Sequence, residues 1–171
     1  MRTEQCRFLA EYNEWMNTRI YAVCEQIPDA ERKAQRNAFF GSIHATLNHL
    51  LLADRVWLGR FQQSPDSVTR LDTILCDDFD DLREVRVAED ARIDRWVTTL
   101  DQDALASALT YTGIVNPTKR TCPLWLAVTH FFNHQTHHRG QITTLLAQLG
   151  IDYGATDMVA IPGVVQAIAD D

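Results

Sequence analysis

No stretch of this chain is both long and apolar. The hydrophobic runs are broken by His, Asn, Asp or Arg well short of the roughly 18 residues that a bilayer helix needs. The opening residues, MRTEQCRFLAEYNEWM, are charged from the start and hold no apolar signal core. Neither a membrane span nor a secretory leader is expected, and the cytoplasm is the expected location. Cysteine is scarce. The four present, Cys6, Cys24, Cys76 and Cys122, lie far apart with no C-x-x-C. That spacing argues against a disulfide framework or a cysteine-type zinc site and leaves four reduced, mostly buried thiols. A basic run is missing too. Lys and Arg number 16 against 23 Asp and Glu, a formal net charge of -7. A general nucleic-acid binder clusters cations against phosphates, so nucleic acid is not an expected partner. A small acidic substrate held by one or two local arginines is compatible with this balance. Internal repeats, low-complexity tracts and linkers are also absent.

What remains is an ordinary globular balance, with 46% hydrophobic and 23% charged residues, which argues against disorder. The 171 residues suit one domain, 1–171, with a full core. Phe8, Leu9, Tyr12, Trp15, Met16, Ile20 and Val23 recur at three- and four-residue steps and predict a first helix over 4–27, stopped by Pro28. The polar segment from Asp29 to Asn37 reads as a loop or short helical turn. A second helix runs from an N-cap at Ser42 to Phe61. It is apolar nearly all round, with Leu47, Leu50, Asp54, Trp57, Leu58 and Phe61 on one face and Ala45, His49, Leu52 and Val56 on another. A helix of that kind is buried on two sides, inside the domain or at a subunit contact. After the turn-rich QQSPDS, a third helix spans Asp78 to Leu100. An irregular crossover follows, with a short hairpin of Leu109–Thr112 against Lys119–Cys122. The fourth helix starts at Pro123, capped by Thr121 or Cys122, and ends at Leu149 before Gly150. The tail from Ile151 carries Gly and Pro breaks and reads as loop plus a short turn. The fold class is all-α: a four-helix bundle with a long crossover between the third and fourth helices. Trp15, Trp57, Trp96 and Trp125 read as core aromatics.

The fourth helix holds four of the six histidines, in THFFNHQTHHRGQ. Its core stripe is Leu124, Ala127, Phe131, Ile142, Leu145 and Leu149. His134 and His138 fall in the middle of that stripe. His130 and Gln141 lie within it, His137 sits at one edge, and Arg139 points away. A buried imidazole without a partner costs about 1–3 kcal/mol. Several on one stripe call for a stronger compensation than isolated hydrogen bonds, and a metal ion supplies it. Residues at i and i+4 lie one above the other, the spacing that lets H-E-x-x-H helices hold zinc. His134 with His138 has this spacing, and so does His130 with His134. A third ligand has to come from another helix, and His44, His49 and Asp54 on the second helix are all candidates.

The stretch GSIHATLNHLLLADRVWL, followed later by HFFNHQTHHRGQ, resembles the DinB (damage-inducible) superfamily. The likeness runs from EYNEWMNTRIY to the end of the fourth helix. It implies an up-down-down-up four-helix bundle and a divalent metal on three histidines, here His49, His134 and His138. Zinc or nickel would be the first choices, with manganese or iron as further ones. His44, His130 and His137 then become supporting residues, Gly140 allows close helix approach, and Gln141 orients a ligand imidazole. Similar proteins are commonly homodimers, and the Leu52–Val56 face is the candidate contact. Some members of the wider superfamily resemble metal- and thiol-dependent transferases or isomerases. The resemblance thus implies a metal-dependent enzyme, an S-transferase or isomerase that uses a low-molecular-weight thiol on an electrophilic small molecule, or else a hydrolase-like protein. The alternative is a metal-bearing stress or binding protein without turnover. Asp54 is the candidate general base, with a buried salt-bridge partner as its plainer role. Arg139 is a candidate grip for an acidic thiol's carboxylate, against a plainer solvated or subunit-facing role.

Overall fold

Four long amphipathic helices form the frame of the computed structural model, which describes residues 1–64 and 67–165. They are α1 (Thr3–Glu25), α3 (Ile43–Phe61), α4 (Phe79–Thr98) and α6 (Leu124–Gln148). Between them lie the short α2 (Asp29–Lys33) and α5 (Gln102–Ala106), and an antiparallel hairpin of β1 (Ala108–Thr112) and β2 (Lys119–Pro123). The hairpin pairs Leu109 with Cys122 and Thr112 with Lys119, the register expected from the sequence. Of the turn-rich QQSPDS, Pro65 and Asp66 lie outside the described residues, as do residues 166–171 of the tail.

Side-chain pairs give the helix directions. Partners of α3 advance together with α4: Asn48 meets Cys76, Asp54 meets Arg86 and Gln62 meets Arg92. These two helices are parallel. Against α6 the order reverses, since His49 meets His138 while Trp57 meets His130. Glu25 meets Arg83 and Asn13 meets Asp90, so α1 and α4 are antiparallel. The result is an up-down-down-up bundle in which α1 and α3 each pack on both α4 and α6. Both late connections are long. Residues 99–123 carry α5 and the hairpin, and residues 62–78 return along the bundle to join parallel helices.

Local chemistry fixes the ends. The Ser42 hydroxyl accepts from the Ala45 N–H at 3.0 Å, and the Asp78 carboxylate accepts from Asp80 and Asp81 at 2.8 and 3.1 Å. The start of α6 differs from expectation. Pro123 is itself the cap position, with no side-chain cap, and the Leu124 N–H donates to Ser107 O at 2.8 Å. Gly150 stands at φ +72°. Its N–H donates to Ala147 O while that of Ile151 donates to Leu146 O, a Schellman stop. The tail then crosses α1, where the Tyr12 hydroxyl donates to Thr156 O at 2.7 Å and Ile161 is buried.

The core divides into two apolar clusters. One holds Met16, Ile20, Leu47, Leu51, Phe79, Leu82, Ile142 and Leu146. The other holds Cys6, Leu58, Ile93, Trp96, Val128, Phe131 and Phe132. Between them, at mid-bundle, lies a buried polar layer drawn from all four long helices: Asn13, Asn17, Asp54, Arg86, Asp90, Gln135 and Arg139. Arg86 reaches Asp54 at 2.6 Å and Asp90 at 2.9 Å. Asn17 donates to Asp90 at 2.9 Å, Gln135 donates to Asp54, and Arg139 donates to Asn13. Two arginines balance two carboxylates, so the layer carries no net charge. Burial raises the Asp54 carboxyl above its ordinary range, and the Arg86 guanidinium beside it pulls it back.

Several side chains are not where a helical wheel of the sequence, at about 100° per residue, places them. Arg139 does not point away: it is buried against α1, because α6 is covered on two sides. Trp125 is exposed at the open start of α6, and Gly140 faces open space rather than a neighbouring helix. Leu52 and Val56 are buried within one chain, with Val56 facing Val68 and Tyr111, so that face is not free for a subunit contact. Among the described residues no helix is long and apolar enough to cross a membrane. Arg86→Met should cost about 3–5 kcal/mol in urea unfolding, because it leaves Asp54 and Asp90 buried without their cation. A loss below about 1 kcal/mol would show that the layer does not carry this charge balance.

Candidate metal centre

One helical turn from the polar layer, α3 and α6 bring three histidines together. His49 comes from α3, and His134 and His138 from successive turns of α6. Among the described residues these three form the one cluster suited to a metal ion, with ligand atoms within 4.8 Å of one another. His134 Nε2 lies 3.3 Å from His49 Nε2 and 3.1 Å from His138 Nε2.

The outer nitrogens decide what the inner ones are. His49 Nδ1 is 2.8 Å from Leu71 O, which only accepts, so Nδ1 carries the proton and Nε2 a lone pair. His138 Nδ1 is 2.8 Å from Gln141 Oε1, with the same consequence. Both lone pairs face His134 Nε2. That atom can donate to one of them at most. If it donates, the buried His134 Nδ1 is an unpartnered acceptor, and if it does not, an unpartnered donor, since that atom has no partner in either case. The three Nε2 atoms are therefore unsatisfied as a set of hydrogen bonds and would be satisfied by a cation placed among three lone pairs, while the His134 Nδ1–H stays without a partner among the described residues. Two nitrogens bound at about 2.0–2.1 Å to one tetrahedral ion stand roughly 3.4 Å apart, close to the observed separations. The donor set fits a divalent metal.

Burial tunes the same groups. Desolvation pushes His49 down to about 4, and the neighbouring His138 adds to it against the Leu71 hydrogen bond. Desolvation pushes His134 down to about 3, helped by the other histidines. His138 is lowered too, by desolvation first. All three are held neutral near pH 7, the form a metal requires.

The cluster lies in the floor of a two-lobed cleft. One lobe, about 810 Å³, is bounded by Phe39, Phe40, Leu71, His137 and Gln141. The other, about 590 Å³, runs along α3 and α6 toward Trp57, Arg60 and the hairpin. Phe40 stacks on His49 with ring centroids 3.8 Å apart, and Val115 at the hairpin tip borders both lobes. Neither Phe40 nor Leu71 was marked by sequence reasoning, because each acts from a loop whose path no periodicity reveals.

The remaining candidates separate clearly. His44 turns to the other side of α3, where its Nε2 meets Cys76 O at 3.0 Å and Asn48 beside it. His130 lines the second lobe against Trp57 rather than joining the cluster, and His137 is exposed near Gln141. Asp54 is fully buried under Arg86 and Gln135 and does not reach the cleft, so it is not a base for chemistry there. Arg139, buried beside Asn13, is likewise no grip for a ligand. Cys122 is half-buried at the wall of the second lobe, outside the cluster.

The comparisons with known proteins bear on the family and the fold. The family model described as "DinB family" matches residues 1–164. The chain belongs to the DinB family. It is similar to Protein DinB of Bacillus subtilis (strain 168), with 28% identity over 155 residues, covering 87% of this chain and 88% of that one. Its fold is similar to the crystal structure of a DinB-like protein from Bacillus cereus ATCC 10987, with a TM-score of 0.62 and 18% identity, covering 86% of this chain and 94% of that one.

The depressed histidines give the metal-free protein a defined acid response. Unfolded histidines bind protons below about pH 6.5 while the folded ones do not, so stability is full above that value. It falls as the pH drops from about 6.5 toward 4. Urea unfolding of chelator-treated wild type and His134→Gln should show the wild type losing stability relative to the variant as the pH drops from about 6.5 toward 3. A difference that stays level from pH 7 to pH 4.5 would contradict the assigned burial.

Proposed function

We propose that this DinB-family chain binds one divalent cation through the Nε2 atoms of His49, His134 and His138. We further propose that it works with a low-molecular-weight thiol on an electrophilic small molecule. The observation that supports the reading most is the convergence of three Nε2 lone pairs, two of them fixed by Nδ1 hydrogen bonds to Leu71 and Gln141. Neutral imidazoles suit zinc and nickel first, with iron as a further candidate and manganese less suited. Three protein ligands are the number found in open, catalytic sites, whereas closed structural sites use four. Held there, such an ion supplies a lowered pKa to a thiol or water beside it.

The chain's own residues do the rest. Leu71 and Gln141 hold two imidazoles in the tautomer and orientation that expose Nε2. Phe40, Leu71 and Val115 present apolar surface around the cluster. In the transfer reaction the thiol sulfur forms a bond to the electrophilic carbon. The bond to the leaving group breaks with its electron pair, and the thiol proton passes to solvent. No oxidant or reductant is consumed. In an isomerisation the sulfur would leave again from the same carbon.

Metal content per chain, measured by elemental mass spectrometry on tag-free protein, tests the first half. Near one metal per wild-type chain is expected, lost in His49→Ala, His134→Ala and His138→Ala and kept in His130→Ala. No metal after reloading with zinc, nickel, manganese and iron would overturn it. Thiol-dependent consumption of a chloronitroarene by the loaded protein tests the second half. Metal without any such consumption would leave a metal-bearing binding protein.

A further inference from the structure

The second lobe of the cleft has an electrostatic character that the histidine cluster does not explain. In a chain of net charge -7, the residues lining this lobe include Arg60 and Arg120 and no carboxylate. Among the described residues neither arginine has an acidic side chain within salt-bridge distance, although most of the chain's other arginines do. Arg60 is half-buried and held in place from three sides. Its Cζ stands 4.6 Å from the centre of the Trp57 ring and 4.7 Å from that of Tyr111. Its Nη2 donates to Thr112 O at 3.0 Å. Arg120 comes to the same corner from β2, beside Gly113. Burial works against the charge on Arg60, Tyr111 beside it works partly the other way, and the nearby Arg120 adds to the cost, so an anion between the two arginines relieves a cost already present.

From this geometry we infer that the Arg60–Arg120 corner is a subsite for the carboxylate of a small ligand whose other end lies at the three histidines. A planar guanidinium fixed by two aromatic faces offers its remaining N–H groups in a set orientation, which suits a carboxylate's two oxygens. His49, Ala53, Trp57 and Arg60 follow one face of α3 down the cleft. His49 and Arg60 are 11 residues apart, roughly 16 Å along the helix axis. The ligand is therefore extended, with several bonds between its carboxylate and its reacting atom. Trp57, Tyr111 and Leu126 give it apolar walls between the two ends. The carboxylate belongs either to the thiol or to the electrophile. That it serves the same reaction rests on the metal reading above, whereas the anion subsite itself does not.

Calorimetric titration with and without bound zinc separates these points. The probes are glutathione, S-methylglutathione, cysteamine, 3-phenylpropionate and 3-phenylpropionamide. At least one carboxylate should bind about tenfold or more tightly than its uncharged or carboxylate-free counterpart. Arg60→Met and the surface variant Arg120→Met should each remove that preference, and Arg60→Lys should keep part of it. Wild-type melting curves for Arg120→Met guard against a folding artefact. If both glutathione and S-methylglutathione depend on Arg60, the carboxylate belongs to the thiol. If 3-phenylpropionate alone does, it belongs to the electrophile. The preference should survive in chelator-treated protein, so a failed metal site and a failed anion subsite give different results. Equal binding of the acid and the amide, no binding of any carboxylate at millimolar concentration, or methionine variants that bind as wild type would each overturn the inference.

Discussion

The buried contact of Asp54 with Arg86 on one side and Gln135 on the other is the constraint on which the site depends. A helix that is apolar nearly all round, such as α3, has little in its pattern to stop it sliding or turning against its neighbours. A charged group in its middle removes that freedom, because any shift leaves a carboxylate buried without its cation. Asp54 ties α3 to α4 through Arg86 and to α6 through Gln135. Arg139 then ties α6 to α1 through Asn13. With the register of α3 on α6 set there, His49 falls opposite His134 and His138 a little more than one turn away.

The site itself is a place where local rules conflict. An apolar stripe runs the length of α6, yet two imidazoles interrupt it and a third faces them from α3. Two of their outer nitrogens, those of His49 and His138, are satisfied by a loop carbonyl and by a side-chain amide, while the inner ones confront each other. Such an arrangement is costly for folding alone, and the proposed cation would make it favourable. The same helices, followed away from the histidines, lead to a clamped arginine. The proposed metal and anion sites thus lie at two ends of one cleft.

Much of this was legible in the sequence. The long helices, the hairpin register and the Gly150 stop follow from periodicity and turn chemistry, which act over a few residues. The i, i+4 pairing of His134 with His138 was visible, although spacing alone left His130–His134 equally open, and the family resemblance made the choice. What the wheel misjudged was Arg139. It assigned α6 one buried face, whereas the helix is covered by α1 as well as α3, so Gln135, Arg139 and Leu146 are buried on a second stripe. The clue was present on the other helices. Asn13 and Asn17 on the inner face of α1, with Asp54 and Arg86, call for a polar partner on the fourth helix. Phe40, Leu71 and the Arg60 clamp depend on where loops and a hairpin return in space, and no local pattern encodes that.

The central claim is that three imidazole nitrogens, and no sulfur, hold one ion. X-ray absorption at the metal edge of zinc-loaded protein tests it directly. Nitrogen neighbours at about 2.0–2.1 Å with the outer-shell scattering of three imidazoles are expected. Sulfur scattering at about 2.3 Å, which would bring Cys122 or another thiol into the site, or an imidazole signal unchanged by His134→Ala, would contradict it.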